Sequence, residues 1–351
     1  MPSIDKLSNT EVVFYGAGSM GCTIAAWLAE RHDQTYLLAR PATASVLRKN
    51  NGVRLFNSAS PDIITTQHVR VIESLDEAPD ADIVVLCVKV FDLEAAARDI
   101  YAHLGDKAII VALQNGIENQ KILAQYFSKV VCCISAYNAW TLVPGLVGYQ
   151  TKGPLVLGTA DNCLEEETKL ARQILSVGLL TAATRRFQDA AHSKIVINLT
   201  NSVVTLVGHY YHPVSDLDLF QDILSNTLHE GVQIIKAAGF RQHKMGNIPS
   251  WLTIWASAKL PRFITRPIFR ANLKKMVLSS MTIDVIHKKR GMTEVEYLNG
   301  YIVRLADQFG LKAPYNRAIY RLCREHFSKP AFEPLDIQDV WQAVQTEVQL
   351  N

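Results

Sequence analysis

A doubly wound parallel α/β sheet followed by an all-α C-terminal half is the fold this sequence predicts, on three observations. Short, wholly apolar runs alternate with amphipathic helical stretches through the first half, the pattern of strands covered on both faces. A glycine-rich turn, Gly16-Ala17-Gly18-Ser19-Met20-Gly21, joins the first such run to the first helical stretch. From Asp189 onward the pattern is almost wholly helical, with no β-type run. Repeated β-α-β units with buried strands close as a parallel sheet. The 351 residues suit two domains, placed here at 1–188 and 189–351.

In chain order, Glu11–Tyr15 is a strand that breaks into the glycines, and Ser19–Glu30 is a helix with Met20, Ile24, Trp27 and Leu28 at helical spacing. Gln34–Ala39 is a second strand, closed by Arg40-Pro41, and a further helical piece ends near Asn51-Gly52. Asp82–Val88, Ala108–Leu113 and Lys129–Ile134 are buried strands, separated by helices at Leu93–Leu104 and Ile117–Phe127. Beyond Trp140, Pro144-Gly145 and Lys152-Gly153-Pro154 punctuate two short alternating runs, read as edge strands or a hairpin. A helix at Glu165–Val177 and a strand at Leu180–Ala183 complete the first domain.

Composition narrows the function. The chain is 48% hydrophobic and 20% charged, with 36 basic and 33 acidic side chains and a net charge of +3. Disorder and a nucleic-acid partner are therefore poor readings. Six cysteines show no CxxC, ten histidines show no HxH or HExxH, and no metal site is expected. The opening MPSIDKLSNT lacks the apolar core of a signal peptide, and no apolar stretch reaches membrane-spanning length. A cytoplasmic protein with no membrane partner is the expectation.

Gly16, Gly18 and Gly21 fit G-x-G-x-x-G between a strand and a helix, the context in which that string marks a Rossmann-type dinucleotide site. Gly16 permits the tight turn, Gly18 lets the backbone approach a pyrophosphate, and Gly21 lets the helix lie close to the sheet. Ala17, Ser19 and Met20 share the loop, and the helix N-terminus offers its free N–H groups to phosphate. After the second strand stands Ala39-Arg40-Pro41, with no carboxylate to take a ribose hydroxyl. A guanidinium there suits the 2′-phosphate of NADPH, with Arg48 or Lys49 as further charge.

Reducing a ketone requires an acid for the developing alkoxide and polar groups to hold the substrate. The first helix of the second domain offers Lys194, Asn198 and Asn201. At ~100° per residue, the two asparagines lie about 40° ahead of and 20° behind the lysine, so the three share a face. Ile195, Val196 and Ile197 beside them imply partial burial, which lowers a lysine pKa toward the range a general acid needs near neutral pH.

At these residues the chain resembles the ketopantoate reductase (2-dehydropantoate 2-reductase) family over nearly its whole length. Gly16, Gly18, Gly21 and Arg40 match its cofactor motifs, and Val88-Lys89 and Gln114-Asn115-Gly116 match its next two. Lys194 and Asn198 match its catalytic helix. Ser280-Met281, Asp284, Arg290, Thr293-Glu294, Tyr297 and Asn299-Gly300 match its downstream block. The resemblance implies NADPH-dependent reduction of a 2-keto acid such as ketopantoate, with Lys194 protonating the oxygen. It further implies that Glu294 accepts from a substrate hydroxyl, Ser280 and Asn198 hold the polar ends, Asn115 sits by the reacting centre and Lys89 near the cofactor. A homodimer is also implied.

Three departures bear on the substrate. Where the family carries a second asparagine this chain has Ser202, with Asn201 one position earlier; residues near Lys288-Lys289 lengthen the 280–294 stretch; and 246–275 looks inserted. They leave open another keto acid, a hydroxyacyl thioester or an imine as substrate. A non-catalytic NADP-binding sensor is a third reading, but it would have no need of Lys194 and Glu294 together. The inserted stretch interleaves Trp251, Trp255, Phe263 and Phe269 with Lys259, Arg262, Arg266, Arg270, Lys274 and Lys275. It reads as a helical hairpin whose aromatics pack on its own domain or a second subunit, in preference to a lid or a membrane-surface helix.

Overall fold

Alternate side chains of each buried strand enter different cores, and this explains why the apolar runs are continuous. The computed structural model describes residues 7–350 except 118, 162, 247, 275, 277–278 and 288–292, together with 330, and gives only the backbone of Ser280 and His287. Two units emerge, Met1–Phe187 and Gln188–Asn351.

The elements of the first unit are β1 (Val12–Tyr15), α1 (Ser19–Ala29), β2 (Thr35–Leu38), α2 (Pro41–Lys49), β3 (Val53–Asn57), β4 (Ser60–Gln67), β5 (Arg70–Ile72) and β6 (Ile83–Leu86). There follow α3 (Leu93–Leu104), β7 (Ile109–Ala112), α4 (Asn119–Leu123), β8 (Val130–Ser135), β9 (Ala139–Val143), β10 (Leu146–Tyr149), β11 (Leu155–Gly158), α5 (Glu165–Gly178) and β12 (Thr181–Ala183). The main sheet has the order β12-β11-β8-β7-β6-β1-β2-β5. From β8 through β5 its pairings are parallel, whereas β11 runs antiparallel to β8. Val12 and Phe14, Ile83 and Val85, and Ile109 and Val111 join the core that also holds α1 and α5. Val13, Val84, Leu86, Ile110 and Ala112 join the opposite core under α3. Each such buried Val, Leu, Ile or Phe contributes roughly 1.5–3 kcal/mol of transfer free energy.

A second, four-stranded sheet has the order β4-β3-β10-β9. The hairpin expected beyond Trp140 is β9–β10, and β10 pairs in parallel with β3 (Val147 opposite Leu55). β3, β4 and β5 had no counterpart in the sequence reading. β4 is exposed along nearly its whole length, so it lacks the apolar alternation that marks a half-buried strand. The helix expected over Ile117–Phe127 is the short α4, continued by hydrogen-bonded turns to Phe127.

The second unit carries α6 (Phe187–Leu206), α7 (Leu217–Ala237), α8 (Trp251–Lys259), α9 (Arg262–Leu273), α10 (Asn299–Gln308), α11 (Pro314–Phe327) and α12 (Ile337–Leu350). A short helical turn, Ser280–Thr282, runs into a π-helical turn at Ile283–His287, and a 3₁₀ turn spans Glu294–Tyr297. Ile195, Val196, Leu199 and Val203 of α6 are buried. The Asp216 side chain caps α7, accepting from the Asp218 and Leu219 amides at 2.9 and 3.1 Å. Among the described residues, no helix is long and apolar enough to cross a membrane.

Candidate active site

The loop after β1 combines a tight turn with an open, uncapped helix N-terminus. Gly16 takes φ +112°, where a side chain would be strained, and a Cβ on Gly21 would lie 2.0 Å from the Gly16 carbonyl oxygen. These two glycines serve the turn and the approach of α1. Gly18 differs: a Cβ there would meet nothing within 4 Å. Its Cα therefore faces open space at the head of an eleven-residue helix that no side chain caps and whose first turn holds no acid. Half-exposed Met20 packs against the α1 core.

At the end of β2, Arg40 is exposed and its carbonyl receives the first amides of α2 at 2.9 Å. The positive charge of Arg40 acts on the Tyr15 phenol, and Tyr15 itself donates to Asp99 at 2.6 Å. Arg48, expected as a further phosphate ligand, is committed elsewhere: it pairs with Glu73 and also donates to the Val71 carbonyl at 3.3 Å. Lys49 is exposed.

Lys89 is half-buried at the N-cap of a 3₁₀ turn, Val90–Asp92, just beyond β6. Asn115 is half-buried after β7, before Gly116 at φ +94°. Gln114 sets the backbone beside them. Its amide nitrogen donates to the Leu86 and Val88 carbonyls at 2.9 and 3.1 Å, tying the end of β7 to that of β6. Its buried Oε1 has no partner among the described residues. That structural role went unassigned in the sequence reading, although Gln114 opens the Gln-Asn-Gly block.

In the helical unit, Lys194 is half-buried on α6 and Asn198, one turn on, is buried. Burial lowers the Lys194 ammonium to about 8 from its ordinary 10.5, and the negative charge of Glu294 acts in the opposite direction. Glu294 is buried, opening the 3₁₀ turn capped by Thr293, whose hydroxyl accepts from the Val295 amide at 3.4 Å. A cation in low dielectric with a carboxylate near it is thus brought together from residues one hundred positions apart. Asn201 is half-exposed, its carbonyl accepting from the Thr205 hydroxyl at 2.7 Å.

Ser202 faces inward. It is fully buried and donates to Oδ1 of Asn299, which in turn donates to Asn316 at 3.1 Å. Asn316 donates to Oε1 of Glu230 at 2.8 Å, and the Tyr315 amide reaches the other oxygen at 3.0 Å. Burial pushes Glu230 up to about 7 despite these bonds. Asn299, from the matched downstream block, is therefore an interior packing residue. Asp284 is buried too. The Ser280 side chain, Arg290, Lys275 and Lys288-Lys289 lie outside the described residues.

A glycine-loop dinucleotide fold, joined to a helical unit with a pKa-depressed lysine and a nearby buried carboxylate, defines a Rossmann-type oxidoreductase. Residues 12–162 match the family described as Ketopantoate reductase PanE/ApbA, and residues 186–327 match its C-terminal counterpart. The chain belongs to the ketopantoate reductase family, whose enzymes are oxidoreductases acting on a CH–OH group. It is 25% identical over 316 residues to a 2-dehydropantoate 2-reductase of Archaeoglobus fulgidus, covering 89% of this chain and 96% of the relative. The fold is shared with a PanE/ApbA family ketopantoate reductase of Ralstonia eutropha JMP134 (TM-score 0.71, 22% identity, 92% of this chain and 99% of that one). It is shared equally with a D-mandelate dehydrogenase solved with NADH and anilino(oxo)acetate (TM-score 0.73, 18% identity, 92% and 100% coverage).

Proposed function

We propose that this protein reduces a 2-keto acid to the 2-hydroxy acid with NADPH, and that the keto acid is 2-dehydropantoate. The observation that carries the reading is Lys194, an ammonium whose pKa burial lowers to about 8, with the Glu294 charge beside it. Such a group is protonated at neutral pH and gives its proton up readily.

The open face of Gly18 and the uncapped N-terminus of α1 fit a pyrophosphate. Gly16, Ala17, Gly18, Ser19, Met20 and Gly21 form that cradle, while Arg40 takes the 2′-phosphate. Lys89 and Asn115 complete the dinucleotide site, and Asn115 also reaches the substrate. When bound, NADPH supplies the hydride that adds to the keto carbon. Lys194 donates its proton to the carbonyl oxygen, completing the C–OH group, and recovers a proton from solvent. Glu294 accepts a hydrogen bond from a substrate hydroxyl, Asn198 and Ser280 hold the substrate's polar ends, and Asn201 adds a further donor. The assembly is a homodimer. Residues 1–188 serve the cofactor and 189–351 the substrate and subunit pairing.

A second reading, a different 2-keto acid, is favoured by Ser202. Its hydroxyl is used on Asn299 in the interior, so the position at which the family carries a second asparagine offers no group to a ligand. The test is NADPH consumption across a panel of 2-keto acids with and without a 4-hydroxyl. Selectivity of at least 100-fold for 2-dehydropantoate supports the first reading, and selectivity for another acid installs the second. NADPH binding with no turnover on any acid overturns both.

A further inference from the structure

α9 is built inside out. Its inward side is held to α7 by polar and ionic groups: Arg266 Nε donates to Asp218 at 2.9 Å, Arg262 pairs with Asp222, and Gln221 donates to the Thr265 hydroxyl at 2.7 Å. Phe269 adds an edge contact to Phe220 with ring centroids 6.0 Å apart. The opposite side is apolar and wet. Phe263 is 80% exposed, Ile268 59% and Ile264 41%, with Pro267 and Ala271 exposed between them. At 3.6 residues per turn these five cover an unbroken arc of about 140°. An ordinary surface helix turns the reverse face to water. Of the hairpin's aromatics, expected to pack on their own domain or on a second subunit, Trp251 and Phe269 pack within the domain, whereas Phe263 is left exposed, as are Trp255 and Leu252 of α8.

Charge indicates what covers this face. From Arg241 through Ile283 the sequence holds eight lysines and arginines and no aspartate or glutamate. Arg262 and Arg266 are used internally, whereas Arg270 borders the apolar arc, Lys274 follows at the end of α9, and Lys259 ends α8. Leu252 and Trp255 border a cavity of about 440 Å³ whose polar lining is Gln233, Lys236, Arg241 and Gln242, again without a carboxylate. A second copy of the same face would set these cations against one another. A surface both apolar and anionic satisfies both halves of the pattern.

We infer that α8 and α9 form a docking face for an anionic lipid surface, with Phe263, Ile264 and Ile268 entering the headgroup boundary while Arg270, Lys274 and Lys259 meet lipid phosphates. Such attachment is peripheral, one helix deep, and is driven by apolar burial together with attraction to anionic headgroups. It leaves the reductase reading untouched.

The test is sedimentation of the full-length protein with vesicles of phosphatidylcholine alone and of phosphatidylcholine with phosphatidylserine. Binding is expected only to the anionic vesicles and should weaken as salt rises. Lys274→Gln should lower the partition about 5-fold, the effect of one charge near such a surface. Phe263→Ser/Ile268→Ser should lower it at least 10-fold, with circular dichroism and NADPH binding unchanged because both side chains are exposed. Absence of binding to either vesicle overturns the inference, as does equal binding to both. A concentration-dependent dimer that Phe263→Ser dissociates, with no lipid binding, assigns the face to a second copy instead.

Discussion

Replacing Lys194 by methionine should make the helical unit more stable and the enzyme nearly inactive. Burial holds the wild-type ammonium at about 8 instead of 10.5. At ~1.36 kcal/mol per unit this corresponds to roughly 3 kcal/mol against the charged form at neutral pH. Lys194 is half-buried, and solvent screening reduces the measurable part to about 1–2 kcal/mol. Methionine retains much of the aliphatic stem and carries no charge, so urea unfolding at pH 7 should show the variant ahead by that amount. The sign of the pH dependence follows from linkage. Between pH 8 and 10.5 the unfolded wild type holds a proton that the folded protein has released, so wild-type stability rises with pH and the advantage of the variant shrinks. Turnover should fall by about 10²- to 10⁴-fold, the usual worth of a positioned acid. Activity within about threefold of wild type would remove the proton-donor role. A variant less stable than wild type would make Lys194 a structural residue instead.

Further outcomes follow from neighbouring groups. Glu294→Gln removes the charge that raises the Lys194 pKa, so the alkaline limb of kcat/KM, expected near pH 8 in the wild type, should move to lower pH. Gly18→Ala points its methyl group into open space; folding should be unchanged, with NADPH affinity by calorimetry weakened at least roughly 10-fold where the pyrophosphate is to approach. Gly21→Ala presses on the Gly16 carbonyl and should lower the unfolding temperature of the first unit. Arg40→Asp should shift the NADPH/NADH ratio of kcat/KM toward NADH by about 100-fold, one bidentate charged contact being exchanged for a repulsive one. Glu230, raised to about 7, favours folding in its protonated form. Its contribution is fully present below pH 4.5 and lost as pH rises through 7, amounting to about 3 kcal/mol at most, which urea unfolding of wild type and Glu230→Gln at pH 5 and 8 would reveal.

Much of the fold is legible because local pattern and tertiary role coincide. The runs at Val12–Tyr15, Ile83–Leu86 and Ile109–Ala112 are buried on both faces, and a continuous apolar stretch of strand length is what a central parallel strand needs. The glycine loop is legible for a similar reason, since its backbone geometry admits few other residues. β4 is the counterexample: exposed Ser60–Gln67 is held by its pairing with β3, and β3 by its parallel pairing with β10, some ninety residues away. No local signal encodes that register.

For the candidate site, the glycine turn, the absence of a carboxylate after β2, and the spacing that puts Lys194 and Asn198 one turn apart are all readable from local sequence. These are properties of short segments with fixed helical or turn geometry. Long-range packing, by contrast, brings Glu294 near enough to act on Lys194, gives Arg48 to Glu73, and draws Ser202 inward to Asn299. The same long-range packing turns Arg262 and Arg266 of α9 toward α7 and leaves Phe263, Ile264 and Ile268 exposed. The physical reason is the same in each case. A charged or polar side chain adopts the environment that best satisfies it, and that environment is assembled from residues distant in the chain.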